Sequence, residues 1–309
     1  MASSRKPSGP GVWSPHNATL DELALGNTGV MSVDTVVLQD ATLTRVGYID
    51  VAIDPAAAGL LAEDFADIDW REPLWTEGDQ LRAGAAVWFA DIDGQRLAFD
   101  PVQAADPVLR SDPDTERSQQ TAIAELLVVS GFDRASVDVL VMTHIEGVGM
   151  CAWHNDDGSW SPFFPNANVI VSVPALESFL ARERVGDLDI EYDAWHALID
   201  QGVVSTYVDG DSVVDGVRAQ VTGAHCAGHA ILHFGTDANA PEATMLGHLA
   251  ISPVHLATGE CPLQHPDPAT AWSALSAAAE DGRILIGPLW PAPGGGRWMN
   301  NEFIATPGA

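Results

Sequence analysis

Three histidines each stand after a predicted strand, where mixed α/β proteins commonly carry their chemistry. The run VLVMTH ends at His144 and breaks into the glycines of IEGVGM. Later in the chain, VRAQVTGAH ends at His225 and ATMLGH ends at His248. Loops that follow strand ends often hold functional side chains, and imidazole is a good ligand for zinc, iron, copper and nickel. The pattern therefore raises the question of a metal site.

Other catalytic chemistries find little support in the sequence. It has no G-x-S-x-G nucleophile elbow, no glycine-rich phosphate loop after a strand and no C-x-x-C pair. Its cysteines, Cys151, Cys226 and Cys261, do not form a disulfide framework. Cys226 follows His225 directly. Its thiol could therefore bind a metal or react, and the competing interpretation is an inert buried cysteine.

The elements that would position these histidines alternate between strands and helices. Residues 42–54 and 84–101 are predicted strands, and the second stretch contains an Asp-Gly hairpin dipeptide. Residues 117–132 carry apolar side chains at helical spacing and lead into the strand before the first histidine. Residues 268–281 form another predicted helix, ahead of the strand GRILIGP. This mixed order predicts sheets covered by helices.

Composition and charge exclude several classes of function. With 309 residues, 46% of them hydrophobic, the chain can bury a sizeable core. It has 43 acidic residues against 14 basic ones, and the formal net charge of −29 repels nucleic acid and anionic membranes. No apolar run reaches the roughly 18 residues of a membrane span, and no secretory signal is visible at the N-terminus. We therefore predict a cytoplasmic protein without a nucleic acid or membrane partner.

Domain organisation is predicted to be simple. Length alone allows one large domain or two small ones. Residues 1–18 are rich in Ser, Pro and Gly, which predicts a flexible arm. No repeat or long low-complexity segment follows, so residues 19–309 are predicted to form a single domain.

Four stretches within residues 40–306 follow the order and spacing of a known family. They are VDVLVMTH, DGSWSPFFPNANVIVSVPALESFL, GAHCAGHAILHF and TMLGHLAISPVH. They resemble the strand before the H-x-H-x-D-H motif, the DG-x-W-x-P-x-FPNA segment, the GHTPGH segment and the strand ending in Gly-Asp of the metallo-β-lactamase fold superfamily. The likeness is greatest to its lactonase and organophosphate-hydrolase branch. The resemblance implies an α/β fold, a four-layer αβ/βα sandwich.

The resemblance also implies a metal site, and this sequence departs from the family's two-metal pattern. Carried over by position, the first site keeps a possible ligand everywhere: His144, Glu146, His225 and His248. His248 replaces a bridging Asp, and it cannot bridge two metals because each neutral imidazole nitrogen offers one lone pair in a different direction. The second site keeps none of its own ligands, since its positions hold Val148, Gly149, and Pro288 or Leu289. The resemblance therefore implies half of the family's site.

Further residues are candidates for a pocket wall or for spare ligands. The apolar wall would be formed by Trp153, Trp160, Phe163 and Phe164, for which ordinary core packing is the competing interpretation, and His154 is a candidate to line the same pocket. Asp156 and Asp157 lie in the same loop, and His255 is a possible spare ligand. His229 and His233 are expected to pack or cap on the next strand, beyond the site.

The resemblance implies a hydrolase, whereas the residues themselves indicate only that one metal ion is bound. We predict a mononuclear enzyme with one divalent ion, Zn or Fe, acting on a small apolar ester, lactone or related carbonyl substrate. Glu146 is either a ligand or a general base, and His248 takes the place of the family's bridging carboxylate in the catalytic centre. A non-haem iron oxygenase is the alternative on this fold. A catalytically silent ligand-binding protein is the third interpretation, and the oligomeric state is left open.

Overall fold

The computed structural model describes residues 32–101, 113–186, 189–237, 239–262 and 265–306. The arm predicted at residues 1–18 lies outside the described residues. Among those described, no helix combines the length and apolar character needed to cross a membrane.

Strands and helices follow one another in mixed order. The strands are β1 (Ser32–Val37), β2 (Thr42–Ile53), β3 (Thr76–Glu77), β4 (Gln80–Ile92), β5 (Gln95–Phe99), β6 (Val139–Val141), β7 (Ala152–His154), β8 (Trp160–Pro162), β9 (Asn168–Ser172), β10 (Val204–Tyr207), β11 (Ser212–Val214), β12 (Val217–Val221), β13 (Ala230–Phe234), β14 (Ala243–Met245), β15 (Ile284–Ile286), β16 (Gly295–Met299) and β17 (Glu302–Ala305). The α-helices are α1 (Ala62–Phe65), α2 (Pro113–Val129), α3 (Val173–Ala181), α4 (Ile190–Asp200), α5 (Val254–Thr258) and α6 (Pro268–Ala279). Short 3₁₀ helices span Pro55–Ala58, Asp69–Arg71 and Arg134–Ser136.

Two large sheets form the scaffold. The first has the strand order β1-β2-β4-β5-β6-β9-β10, and β3 pairs with β4. Strands β1 to β5 pair antiparallel, whereas β6, β9 and β10 join them in parallel. The second sheet runs from β11 to β17 in chain order, with β14 and β15 as a parallel pair. Strands β7 and β8 form a separate hairpin.

The local signals in the sequence correspond to observed elements. Residues 84–101 fold into the β4–β5 hairpin, whose turn residues Asp93 and Gly94 have φ angles of 50° and 77°. Positive φ at both positions is typical of a tight hairpin turn, and Asp-Gly adopts it with little strain. The helices predicted at 117–132 and 268–281 are α2 and α6. The predicted α/β class is therefore confirmed.

Apolar side chains pack into three core layers. Between the sheets, Trp88 and Phe99 of the first meet Phe234 of the second, and the two phenyl rings cross edge to face at 5.1 Å. Outside the first sheet, Leu127 of α2 and Trp195 of α4 are buried against its outer face. Outside the second sheet, α5 and α6 cover the opposite face. The result is the helix–sheet–sheet–helix sandwich that the resemblance implied.

Strand ends bring the three histidines to one edge of the sandwich. Strands β6, β12 and β14 end three or four residues before His144, His225 and His248, respectively. Both β12 and β14 pair antiparallel with β13, so they run in the same direction and their carboxyl ends share an edge. The topology therefore places the loops of His225 and His248 side by side, facing the loop that carries His144.

A fourth histidine, His233, is buried near the far end of β13. Its Nδ1 lies 2.9 Å from Thr244 Oγ1, and its Nε2 lies 2.9 Å from Gln220 Oε1. Burial, and secondarily the positive charges of Arg283 and Arg218, lower the pKa of His233 to about 4.

The pKa shift of His233 predicts a dependence of stability on pH. The unfolded chain protonates this imidazole near pH 6.5 and the folded chain only near pH 4, so the free energy of unfolding falls as pH drops through that window. We expect His233→Leu to make the fall shallower, because the unfolded variant takes up fewer protons. Urea unfolding of both metal-free proteins across the window measures it. Identical pH dependence in the two proteins would contradict the prediction.

Candidate metal centre

One carboxylate oxygen lies among three imidazole rings. Glu146 Oε2 is 3.1 Å from His144 Nε2, 3.4 Å from His225 Nε2 and 3.0 Å from His248 Nδ1. One ligand atom from each of these residues lies within 4.8 Å of the others. In the part of the chain that the structure describes, this is the one such group of three or more His, Cys, Asp or Glu side chains. The structure thus brings together the four ligands that the resemblance implied.

Helix α4 holds the loop that carries His144 and Glu146. The Gly147 N–H donates to Glu191 Oε1, and the Gly147 carbonyl accepts from Trp195 Nε1 at 3.0 Å. Gly147 has a φ of 68°, a left-handed conformation that glycine adopts without steric cost. Because Trp195 is itself buried, the turn in which Glu146 folds back onto His144 is fixed from behind.

Asp100 and Thr143 set the tautomer of His144. The Thr143 hydroxyl donates to Asp100 Oδ1 at 2.7 Å, and the Thr143 backbone N–H donates to the same oxygen at 3.2 Å. The hydroxyl oxygen can then accept from His144 Nδ1, 2.8 Å away. With its hydrogen on Nδ1, the neutral ring presents a lone pair on Nε2 toward Glu146 Oε2. A lone pair and a carboxylate oxygen at 3.1 Å repel each other unless a proton or a metal ion lies between them.

A glycine is required just before His248. A side-chain carbon at Gly247 would lie 2.5 Å from His229 Nε2 and 2.8 Å from Thr143 Oγ1, which is too close for either contact. Its φ of 56° is also left-handed. Gly247 therefore lets the chain after β14 pass close to the first histidine loop and deliver His248 to the cluster.

The three distances from the Glu146 carboxylate oxygen are compatible with a single tetrahedral metal. Zinc binds imidazole nitrogen and carboxylate oxygen at about 2.0–2.2 Å, so the edges of its tetrahedron are about 3.3–3.6 Å long. The distances from Glu146 Oε2 to the three ring nitrogens, 3.0, 3.1 and 3.4 Å, are close to that length. Small side-chain movements would admit a divalent ion among these atoms, and three imidazoles with one carboxylate suit zinc or iron.

The charges of the cluster also favour a cation. Desolvation raises the pKa of the Glu146 carboxyl, and donation from ring N–H groups of His144, His225 and His248 would hold it well below its usual range. Where the ring tautomers direct lone pairs at the carboxylate instead, a bound cation has to supply that stabilisation. Burial lowers the pKa of His225. Burial also lowers the pKa of His265, which lies directly behind His225, to about 4. A negative carboxylate enclosed by imidazole rings attracts a positive ion, because burial makes an uncompensated charge costly.

The positions of the family's second metal are apolar. Val148 is 1% exposed and packs in the core beside Met150. Leu289 packs against the core on the other side of the sandwich, and its carbonyl accepts from the Gly84 N–H. No side chain at these positions offers a donor atom, so a mononuclear site remains our prediction.

The predicted pocket residues lie on the β7–β8 hairpin and just after it. Three of them are buried in the core outside the first sheet: Trp160, Phe163 and Phe164. His154 lies with its ring 4.6 Å from that of Trp160, and half-buried Trp153 lies under the Arg134 guanidinium at 4.2 Å. An open cavity of about 590 Å³ adjoins Trp153 between α2 and the hairpin, and its lining residues do not include the four ligands. Among the described residues, the rings of these side chains contact one another, the Arg134 guanidinium and other core residues.

Two other histidines lie outside the four-residue group: His255 has partners at both ring nitrogens, whereas His229 has a partner at Nδ1 and none among the described residues at its buried Nε2. His255 is fully buried, and each ring nitrogen lies 3.0 Å from a backbone carbonyl oxygen. His229 lies closer to the site, with its ring 5.5 Å from that of His144. Its Nδ1, however, lies 3.0 Å from Thr222 Oγ1, and its Nε2 is directed at Gly247. Neither is part of the four-residue group.

The acidic and thiol candidates also lie apart from the cluster. Asp156 is exposed and pairs with Arg117 at 3.3 Å, and Asp157 accepts from Ser159 within a surface turn. Burial raises the pKa of the Cys226 thiol to about 12, so this side chain stays protonated at neutral pH. A protonated thiol is a weak nucleophile and a poor metal ligand.

Sequence reasoning missed several residues that support the ligands. Asp100 carried a readable signal, because it directly follows β5 and precedes Pro101, a strand-end position. No local pattern marks Glu191, Trp195 or His265. Their relation to the site depends on how α4 and the loop between α5 and α6 pack against the histidine loops.

Comparison with known proteins shows the fold. No protein-family model matches the chain, and no curated protein matches it. A hydrolase in the beta-lactamase superfamily, AbOPH, aligns at a TM-score of 0.64 and 17% identity over 90% of this chain and 99% of its own. AidC, a dizinc quorum-quenching lactonase, aligns at a TM-score of 0.65 and 13% identity, covering 90% of this chain and 98% of its own. A probable metal-dependent hydrolase from Staphylococcus aureus aligns at a TM-score of 0.64 and 13% identity, covering 88% of this chain and 99% of its own.

The chain therefore has the metallo-β-lactamase fold, and the expected resemblance is confirmed at that level. At identities of 13–17%, the likeness shows the architecture. The chemistry has to be argued from the residues of this chain, because one fold carries many functions.

The contact of Thr143 with His144 yields a prediction. Thr143→Val keeps the branched shape but removes the hydroxyl that accepts from His144 Nδ1, so the ring no longer has a fixed tautomer. We expect zinc affinity to fall about 10–100-fold, as for other partners of metal ligands, whereas Thr143→Ser keeps affinity close to that of the wild type. Competition with a chromophoric chelator measures both. If the Val and Ser variants bind zinc equally well, the hydroxyl does not position the ligand.

Proposed function

We propose that this chain is a mononuclear metal-dependent hydrolase acting on a small apolar ester, lactone or related carbonyl compound. The observation that carries the proposal is the convergence of three imidazole nitrogens on one carboxylate oxygen. The proposed ligands are His144, Glu146, His225 and His248, and the proposed metal is one zinc or iron ion. When bound, such an ion polarises a carbonyl oxygen and lowers the pKa of water.

Among the four proposed ligands, Glu146 is the one that could most easily give up its place at the metal to water or substrate. Four protein ligands close a tetrahedral zinc site, whereas a catalytic site keeps one position for water or substrate. Although Glu146 Oε2 is enclosed by the rings, its side chain is 39% exposed, against 3% for His144, 8% for His225 and 13% for His248. We assign it two roles: it would hold the ion as a ligand, and its exposed carboxylate would accept a proton from water as a general base.

His248 changes the charge of the site relative to the family. It stands in place of a bridging Asp, so Glu146 is the one negative ligand and a divalent ion keeps part of its positive charge. That charge strengthens its pull on a carbonyl oxygen. His248 faces the cluster through Nδ1, so its Nε2 lies on the far side of the ring and can donate a hydrogen bond to a substrate.

The proposed substrate class rests on the net charge of the chain and on the activities of proteins with the same fold. The net charge of −29 disfavours anionic substrates, so a neutral apolar molecule is the better partner. AidC is a lactonase and AbOPH a hydrolase, and each shares this fold over 90% of the chain. AidC is a dizinc enzyme, whereas we propose one metal here. Trp153, which adjoins an open cavity next to the β7–β8 hairpin, remains the proposed pocket wall.

A non-haem iron oxygenase is the second candidate. The donor set favours it, because three imidazoles and one carboxylate suit iron as well as zinc. The same four residues would hold the iron, which would supply the O₂ chemistry. A silent ligand-binding protein would use the same pocket without turnover.

The stoichiometry of metal binding gives the first test. We expect one equivalent of zinc or iron per chain after loading and dialysis, measured by elemental analysis. His144→Ala and His225→Ala should release it, because each removes a buried imidazole ligand. His233→Ala is the matched control, a buried histidine on β13 outside the cluster, and should retain the metal. Two retained equivalents in the wild type would contradict the single-site argument.

Oxygen dependence separates the reaction classes. Hydrolysis requires no change of oxidation state, so the zinc-loaded chain should turn over members of a lactone and aryl-ester panel without O₂. We expect Glu146→Gln to lower the rate by about 100-fold or more, because the amide cannot accept a proton. Turnover that requires both iron and O₂ would replace the hydrolase with the oxygenase. No turnover under any condition, with ligand-induced stabilisation, would favour the silent binder.

A further inference from the structure

His265 joins the two loops that deliver ligands from the second sheet. Its Nδ1 lies 3.1 Å from His225 Nδ1, and its Nε2 lies 3.1 Å from the carbonyl oxygen of Leu249. Leu249 directly follows His248 in the chain. The side chain of His265 is buried, and its ring stands at 88° to that of His225 with centroids 5.1 Å apart. One imidazole thus contacts a proposed ligand and the residue next to another.

The directions of these hydrogen bonds determine a tautomer. A backbone carbonyl only accepts, so His265 Nε2 carries the hydrogen that bonds to Leu249. A neutral His265 ring then has a lone pair on Nδ1, and the hydrogen between the two rings must sit on His225 Nδ1. His225 is left with a lone pair on Nε2, which faces Glu146 Oε2 at 3.4 Å.

We propose that His265 is a positioning residue of the metal centre, which holds His225 in its metal-binding tautomer and fixes the His225 loop to the His248 turn. This inference rests on the proposed metal-binding function. It parallels the arrangement on the first sheet, where Thr143 and Asp100 direct the Nε2 lone pair of His144 to the same carboxylate. Both buried histidine ligands are therefore oriented by an acceptor behind Nδ1, although the acceptors differ in chemistry.

The anchoring of His265 supports this role. Its backbone N–H donates to the Pro262 carbonyl at 3.2 Å, in the loop between α5 and α6. The α5 and α6 helices pack on the outer face of the second sheet. The position of His265 is thus set by the outer helical layer, and through it that layer is connected to two proposed ligands, His225 and His248.

Three substitutions separate the two hydrogen bonds of His265. His265→Asn keeps an amide oxygen near the Nδ1 position, where it can accept from His225, but loses the bond to Leu249. His265→Gln places its amide near the Nε2 position, where it can donate to Leu249, but loses the acceptor behind His225. His265→Leu removes both. His233→Leu is the matched control, since His233 is also buried and also bonded through both ring nitrogens.

Zinc affinity of the full-length chain, measured by chelator competition, is the test, with the unfolding midpoint of the metal-free chain recorded in parallel. We expect His265→Leu and His265→Gln to bind zinc about 10–100-fold more weakly than the wild type. His265→Asn should lose less, because it keeps the acceptor that fixes the tautomer. His233→Leu should lower the unfolding midpoint of the metal-free chain to a similar degree and leave zinc affinity unchanged.

The outcomes distinguish this inference from the proposed function. Unchanged affinity in the folded His265 variants, with normal binding by the wild type, would overturn the positioning role alone. An equal loss in His233→Leu would also overturn it, because a general loss of stability would then explain the effect. If His265→Leu does not fold, the Asn and Gln variants decide by their order of affinity. A wild-type chain that binds no zinc or iron would overturn the proposed function itself.

Discussion

Two imidazole lone pairs and a carboxylate oxygen can occupy one small volume only if a positive charge lies among them. This constraint governs the edge of the sandwich where His144, His225 and His248 meet Glu146. Hydrogen bonds behind the rings direct nitrogen lone pairs inward rather than N–H groups. The surrounding contacts therefore hold together atoms that would otherwise separate, as expected for a site that a metal ion completes.

The constraint also explains why the site needs the whole sandwich. His144 and Glu146 belong to a loop of the first sheet, whereas the other two ligands belong to loops of the second. Their relative positions are set by the apolar layer between the sheets, and each loop is held from the outer side as well, by Trp195 of α4 in one case and by His265 in the other. An ion bound by residues of both sheets, as we propose, would couple metal binding to folding, because it would stabilise only the folded chain.

The departures from the two-metal pattern are chemically consistent with one another. A bridging carboxylate is useful only when two ions share it, and the positions that would hold the second ion are apolar, with Val148 packed in the core. Replacement of that carboxylate by His248 gives up the bridge and retains a donor for one ion. In the proposed site Glu146 supplies the negative charge, and its side chain is exposed enough to serve as the proposed general base.

The local elements, the fold and the residue types of the site could be predicted from the sequence. The Asp93-Gly94 turn and the strand-end histidines are readable because backbone preference and side-chain spacing act over a few residues. The contacts that support the site, in contrast, follow from the packing of segments that are distant in the sequence. Glu191 and His265 lie 44 and 40 residues from the loop positions they contact, Gly147 and His225. Such contacts arise from how helices pack on sheets, and no short-range pattern encodes them, because the burial that fixes them is a property of the whole chain.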